Sequence, residues 1–542
     1  VRSLKERRSV FKKSTVLGLA VMLALSYFGL TSVAEGSPES QPRLTAKPHV
    51  TETTTLPNLS LGKRHLPEIR KSTHVTTGVT HTEIVRGYES HKAFYTVEMG
   101  FFDTGREARK LRKALRKSGY KAKVLPVRDR GFKDTDVREK FIGYAVQVGE
   151  YSSERAANAM AEKIRNSGFV VSRVVYSEYD GTRKSTGPWR VHVLEIDPDQ
   201  FSGRLQLGIA RDQIEGNEPL STMAVRHRAL AAVNGGYFVM SSRDGTPGDL
   251  AGISVLDGKL ISESVGERTS LILEGNRASI AEVGTMLTLE GENGNSRVVD
   301  GINRSPGLIR SCGGVDDVPS ELPMHDMTCT DDDEIIQFNA AYGDKTPPGD
   351  GYEIVLDGEG VVTRTNEGRG SDIPEFGTVL SATGDAADWL RQNTAVGERV
   401  ILTHDLYVDG ELTPISPGLN IVNGGPRLLE NGQKTILAET EGFSWSPEFY
   451  YNFGLYRHPR TLAGIKENGN ILFVTVDGRN PGSSIGVSFH ESAALLQDLG
   501  AVEAMNLDGG GSTTMVVGDE VVNTPSGSAE RAIADGIFIL DR

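Results

Sequence analysis

Cysteine is almost missing from this chain. Its two cysteines in 542 residues, Cys312 and Cys329, lack further cysteine or histidine partners at the spacing a zinc site requires. Apolar runs are equally scarce. Beyond Leu30 no stretch is apolar enough to span a bilayer, which excludes a polytopic helical membrane protein. Positive charge is in deficit as well: 59 Lys and Arg face 72 Asp and Glu, and the net charge of −13 argues against a nucleic-acid binder. No motif implies a cofactor, and none sets out a metal site.

What is present starts with a local exception to that charge balance. Arg2, Lys5, Arg7, Arg8, Lys12 and Lys13 precede an apolar run from Thr15 to Leu30, and Ser32-Val33-Ala34 offers a small-x-small cleavage site. Residues 1–34 therefore read as a secretory signal peptide, with an uncleaved membrane anchor as the alternative. The protein is expected to be exported, to the cell envelope or beyond it. Residues 35–90 are rich in Thr, Ser, Pro and His with little apolar periodicity, which predicts a flexible linker whose His49, His65, His74 and His81 are solvated. In an exported chain, Cys312 and Cys329 bracket a polar loop and are expected to form a disulfide.

Residues 92–181 contain an internal repeat. Tyr95 to Gly100 (YTVEMG) matches Tyr144 to Gly149 (YAVQVG), and Gly119 matches Gly168, with the same offset of 49 residues. Each copy reads strand, amphipathic helix, strand, and doubling that unit gives a ferredoxin-like βαββαβ module. The pattern YAVQVGEYSS, the helix AANAMAEKI and SGFVV resemble a SPOR domain, the cell-wall module that binds peptidoglycan glycan strands. An RNA-recognition fold would share the topology, and export argues against it. The first helix carries Arg106, Arg109, Lys110, Arg112, Lys113, Arg116 and Lys117. That face is either simply solvated or attracted to an anionic wall polymer.

Two aspartates organise the C-terminal part. Ile471 to Val476 (ILFVTV) reads as a buried strand delivering Asp477-Gly478-Arg479, and Ala504 to Leu507 ends in Asp508 before Gly509-Gly510-Gly511-Ser512-Thr513. Between them Ser488 and Glu491 form a capping box for a helix that stops at Gly500. If the two strands are parallel neighbours, the crossover helix sets both aspartates at one sheet edge. A bare glycine loop beside a carboxylate suits a group that must act on a ligand held by backbone N–H. Arg460 and Arg479 suit phosphate, because the guanidinium fork donates two parallel hydrogen bonds. Buried ion pairs with Asp477 or Asp508 are the alternative use for them.

Five motifs in order, AVNGGYF at Ala232 to Phe238, VNGGPRLLENG at Val422 to Gly432, HPRTLAG at His458 to Gly464, VDGR at Val476 to Arg479 and NLDGGGSTTM at Asn506 to Met515, resemble the phosphodiester glycosidase family. That family includes the lysosomal uncovering enzyme, which removes N-acetylglucosamine from a phosphodiester on mannose. The resemblance implies a domain over 188–542 that hydrolyses a sugar-1-phosphodiester on a glycan or wall polymer. With that reaction, Asp508 is expected as base or nucleophile, and Asp477 as the second catalytic carboxylate or as the group that holds Arg479. Asn234, Gly235, Asn423, Arg460, Arg479, Gly509, Gly510, Gly511, Ser512 and Thr513 become the implied substrate contacts, with Arg531 in a supporting role. The fold class expected is α+β: a ferredoxin-like SPOR module followed by a larger mixed α/β, β-rich domain. A non-catalytic binder of phosphorylated wall glycans, or a glycosidase for another glycan bond, would use the same scaffold.

Overall fold

The computed structural model describes residues 58–242, 245–308, 318–324 and 327–542. Residues 1–34, read as a signal peptide, and Cys312 lie outside the described residues. Cys329 is buried and disulfide-bonded. Among the described residues no helix is long and apolar enough to cross a membrane.

Ordered structure begins inside the stretch expected to be a linker. Glu68–Thr76 (β1) and Val79–Arg86 (β2) form an antiparallel hairpin, and β2 pairs along its whole length with Trp189–Ile196. The composition misled because Thr, counted as a linker residue, is also β-branched and favours a pleated, half-buried strand. His81 is accordingly buried, not solvated; its Nε2 lies 3.2 Å from Nδ1 of His192 in a stacked pair.

The repeat folds as its periodicity predicts. Tyr95–Phe102 (β3), Gly105–Lys117 (α1), Ala122–Arg128 (β4), Phe141–Tyr151 (β5), Glu154–Asn166 (α2) and Arg173–Tyr176 (β6) build an antiparallel sheet of order β4-β5-β3-β6, the ferredoxin-like arrangement. Thr104 and Ser153 cap the two helices through their hydroxyls. Ala108, Leu115, Ala161 and Ile164 turn inward onto Val97, Val146 and Val148.

Trp189–Ile196 (β7) then enters an eight-stranded sheet. Arg204–Ile209 (β8), Leu220–His227 (α3) and Ala231–Asn234 (β9) follow, and later in the chain Arg427–Glu430 (β10), Arg460–Lys466 (β11), Ile471–Val476 (β12), Phe489–Asp498 (α4), Ala501–Asn506 (β13), Met515–Val517 (β14) and Asp535–Leu540 (β15) complete the layers. The large sheet has the order β1-β2-β7-β12-β11-β13-β10, closed by Gln433–Lys434. A second sheet, Glu520–Val521 then β14-β9-β15-β8, lies over it. Leu194, Ala463, Phe473 and Met505 from the first meet Leu207, Val233, Ile537 and Ile539 from the second in one apolar layer. Residues 254–422 add an eight-stranded and a five-stranded sheet, with their own core around Ile302, Ile335, Leu380 and Leu390, and a two-stranded ribbon.

The ferredoxin-like module is not hung on a hinge. The buried Arg457 guanidinium donates to the carbonyls of Glu178 (2.6 Å), Asp180 (3.0 Å) and Arg183, and pairs with Glu491 at 2.7 Å. The module's sheet also shares a core with the large domain: Val127, Ile142, Ala145 and Val175 pack with Tyr450, Tyr451, Leu455 and Tyr456. Phe101 stacks on Tyr451, and the Arg173 guanidinium lies 4.5 Å from the Tyr456 ring centroid. Asp129 accepts from Tyr450 Oη at 2.8 Å and sits 2.8 Å from His490 Nε2. Burial pushes the Asp129 carboxyl up, and these donors more than offset it, so it stays below its ordinary value.

Ile84 discriminates between a tether and a strand. It is 1% exposed on β2, so Ile84→Ala is expected to cost about 2–5 kcal/mol in urea unfolding. A cost below about 0.5 kcal/mol, the ordinary range for a surface change, would contradict the placement.

Candidate active site

The crossover places both aspartates as expected, by a different route. β12 and β13 are parallel but not neighbours; β11 lies between them, antiparallel to each. Asp477 and Asp508 therefore leave the sheet at the same end. Helix α4 makes the return, and its capping box is complete: Ser488 Oγ accepts from Glu491 N, and the Glu491 side chain accepts from Ser488 N.

Asp508 is half-buried, and its Oδ1 accepts from Gly509 N at 2.8 Å. Its main chain is stitched to the Asn234-Gly235 turn, with Asp508 N donating to Gly235 O (3.2 Å) and Asn234 Nδ2 donating to Asp508 O (2.8 Å). Asn234 Oδ1 accepts from Thr461 Oγ1 (2.6 Å) and Thr514 N (3.1 Å). The Asn234 side chain, expected to touch substrate, is thus spent on three protein partners and holds the site's frame. Asn423 is used similarly, its Oδ1 accepting from Tyr237 N at 2.8 Å.

Asp477 is 2% exposed and has its own task. Its carboxylate accepts from Asn523 Nδ2 (3.2 Å) and Thr524 N (3.0 Å), which pins the loop that carries Arg531. Burial pushes this carboxyl up to about 6. A second buried carboxyl, Asp535, was not singled out by the sequence. It lies directly under the Asn234-Gly235-Gly236 turn, accepts from Gly236 N at 3.2 Å, and leaves Oδ1 without a hydrogen-bond partner. A Cβ on Gly235 would come within 2.5 Å of Asp535 Oδ2, so glycine is required there. Burial, and then the neighbouring Asp508, push Asp535 up to about 7. Its only sequence signal is an acid at the start of an otherwise apolar final strand.

The arginines stand around Asp508 without carboxylate partners. Among the described residues neither Arg460 nor Arg479 makes an ion pair. Arg460 is buried between the Phe453 and Phe489 rings, 4.9 and 4.5 Å from their centroids, and donates to the carbonyl of Phe453. Burial draws it down to about 10, and the cationic Arg479 adds to that. Arg479 is exposed, adopts φ 58°, and its Nη2 lies 3.3 Å from His458 Nδ1. Desolvation and then Arg531 lower it. Since His458 Nε2 donates to Asn452 O at 2.6 Å, Nδ1 is the acceptor for Arg479, and burial holds this imidazole neutral.

The three glycines exist to let these groups approach. A Cβ on Gly509 would stand 2.8 Å from Pro459 O, one on Gly510 3.1 Å from Arg479 Nη2, and one on Gly511 2.2 Å from Arg531 Nη2. Arg531, given only a supporting role by the sequence, therefore lies flat on the loop and also donates to Ser512 Oγ at 3.3 Å. The loop's amides are less free than expected: Gly509 N, Gly510 N and Ser512 N are bonded to Asp508 Oδ1, Pro459 O and Gly509 O. The buried Thr513 hydroxyl has no protein partner. In the acidic run Thr330 to Glu334, Glu334 pairs with Arg304 and Asp333 with Arg297.

The raised carboxyls carry a pH signature. Unfolded Asp titrates near 3.9, so between about pH 4 and pH 7 the folded chain holds protons on Asp477 and Asp535 that the unfolded chain has lost. Stability contributed by these groups is fully present below that window and falls as pH rises through it. Asp535→Asn is expected to flatten the fall, measured by urea unfolding at about pH 5 and about pH 8. An unchanged slope would contradict the assignment.

The chain is similar to known proteins in both of its parts. The phosphodiester glycosidase family matches residues 350–540, and the SPOR domain family matches residues 141–191. The chain is 36% identical over 83 residues to a prophage-derived protein of Bacillus subtilis (strain 168), covering 15% of this chain and 13% of that one. It is 28% identical over 189 residues to the N-acetylglucosamine-1-phosphodiester alpha-N-acetylglucosaminidase of Mus musculus, covering 32% of this chain and 34% of that one. It thus spans about a third or less of these curated relatives. A crystal structure of a Burkholderia pseudomallei K96243 protein described as exported superposes with a TM-score of 0.81 at 30% identity, covering 90% of this chain and all of that one.

Proposed function

We propose that this chain, which carries a phosphodiester glycosidase domain joined to a SPOR domain, is an exported, wall-associated hydrolase that cleaves the glycosidic C–O bond of a sugar-1-phosphodiester. The observation that carries the reading is a half-buried carboxylate, Asp508, beside two cationic groups, Arg460 and Arg479, that form no ion pair among the described residues. Two such guanidinium groups, set beside Asp508, suit an anion held next to the group that attacks or directs water.

In this reading Asp508 acts at the anomeric carbon, as base toward water or as nucleophile. The phosphodiester oxygen leaves with its charge stabilised by Arg460 and Arg479, with Arg531 beside them. A phosphate leaving group needs less acid assistance than an ordinary glycoside. That fits His458, whose two ring nitrogens are already committed to Asn452 O and Arg479. Gly235, Asn234 and Asn423 hold the frame, and Asp477 holds the Asn523-Thr524 loop. The SPOR domain supplies attachment to peptidoglycan, and export follows from the basic and apolar leader.

Asp508→Asn keeps volume and most hydrogen bonding but removes the charge, so turnover of a synthetic sugar-1-phosphodiester is expected to fall at least about 100-fold with little change in thermal stability. Arg479→Lys keeps charge and loses the fork, so its loss should be larger on the phosphodiester than on an aryl glycoside without phosphate. Full activity in Asp508→Asn would end the mechanism. Equal Arg479→Lys losses on both substrates would remove the phosphate-holding role.

A further inference from the structure

Two observations concern how the chain meets its polymer. The sheet face of the ferredoxin-like module is largely occupied by the chain itself, through the core shared with Tyr450 to Tyr456, the Phe101–Tyr451 stack and the Arg173–Tyr456 contact. What remains looks into a cleft of about 510 Å³, walled on its far side by Tyr451, Tyr456, Thr182 and Arg183. The opposite, helical face is open.

On that open face α1 carries seven cations against one carboxylate, Glu107, which accepts from the cap hydroxyl of Thr104. Arg106, Lys110, Lys113 and Lys117 follow i, i+4, i+7, i+11 spacing and form one exposed stripe about 16 Å long. It lies opposite Ala108 and Leu115, which are buried in the module's core. Among the described residues none of the seven cations makes an ion pair. The equivalent helix α2 is close to balanced, and its Arg165 pairs with Glu162. A row of unpaired like charges on one helix of a chain with net charge −13 is self-repulsive, and an anionic partner relieves it.

We propose that α1 is a docking surface for a flexible polyanion with regularly spaced phosphates, a phosphodiester-linked glycan or polyol polymer of the wall. The choice of phosphate polymer rests on the phosphodiester reading of the Asp508 site. The stripe contains no aromatic side chain to stack bases, as single-stranded nucleic-acid sites do. The helix's apolar side is buried in the module, so it has no face to insert into a bilayer. The polymer is held at a fixed position relative to Asp508, because the module is clamped through Arg457 and the shared core.

The test uses the full chain and a poly(glycerol phosphate) of defined length, with anionic phospholipid vesicles, a single-stranded oligonucleotide and an uncharged chitooligosaccharide as competing probes. The proposal expects binding to the phosphate polymer that weakens steeply with salt, by about 0.7 in log K per log salt for each phosphate neutralised, as for flexible single strands. The triple variant Lys110→Gln, Lys113→Gln, Lys117→Gln should weaken binding at least about 10-fold at low salt while turnover of a short soluble sugar-1-phosphodiester stays unchanged. Lys163→Gln with Arg165→Gln on α2 should leave both unchanged. Equal binding by the triple variant, or tighter binding to vesicles, oligonucleotide or the uncharged glycan, would overturn the proposal. Failure of short-substrate turnover in the wild-type chain would instead count against the active-site reading.

Discussion

One carboxamide joins the parts that must meet at the site. Asn234 closes β9 in the smaller sheet, accepts from Thr461 on β11 of the larger sheet, accepts from Thr514 in the segment entering β14, and donates to the carbonyl of Asp508. No other side chain type could do all of this there: Asp would lose the donor, and Leu would leave several buried polar groups unpaired. The two sheets could stack through their apolar faces without it, since hydrophobic packing is not directional. The register that sets Asp508 next to Gly235, and both above Asp535, depends on this bond set.

The charge arrangement follows from that frame. A Cβ at 509 would press on the Pro459 carbonyl, and one at 510 or 511 would push against the guanidinium ends of Arg479 and Arg531. The cost of burial, and after it of setting cations side by side, shows in the lowered values of Arg460 and Arg479, and the cost of burying carboxyls in the raised values of Asp477 and Asp535. Perturbation of both kinds within one sheet end is a pattern that functional sites share, and it supports the proposed anionic substrate.

Much of this was legible in the sequence where local signals and burial agree. ILFVTV, the Ser488–Glu491 box and the repeat at 95–176 each carry a period or cap that specifies an element by itself. The β1–β2 hairpin was not, because its Thr and His content resembles a linker and its order comes from pairing with β7, a contact across more than a hundred residues. Asp477 and Asp508 were placed correctly at one sheet end although β11 intervenes, since parallel direction alone decides it. Asp535 was invisible because its role comes from lying under a turn that is distant in sequence. The reuse of Asn234 and Asn423 as braces is likewise a matter of partners that no local pattern reveals.

If Asp508 acts at the anomeric carbon, as base or as nucleophile, the oxygen of water ends on the sugar and not on phosphorus. Hydrolysis of a synthetic sugar-1-phosphodiester by the full chain in ¹⁸O-labelled water, read by mass spectrometry within one turnover, decides it. The account predicts free sugar carrying the label at its anomeric oxygen and an unlabelled phosphomonoester. Label in the phosphate, with sugar phosphate released, would contradict it.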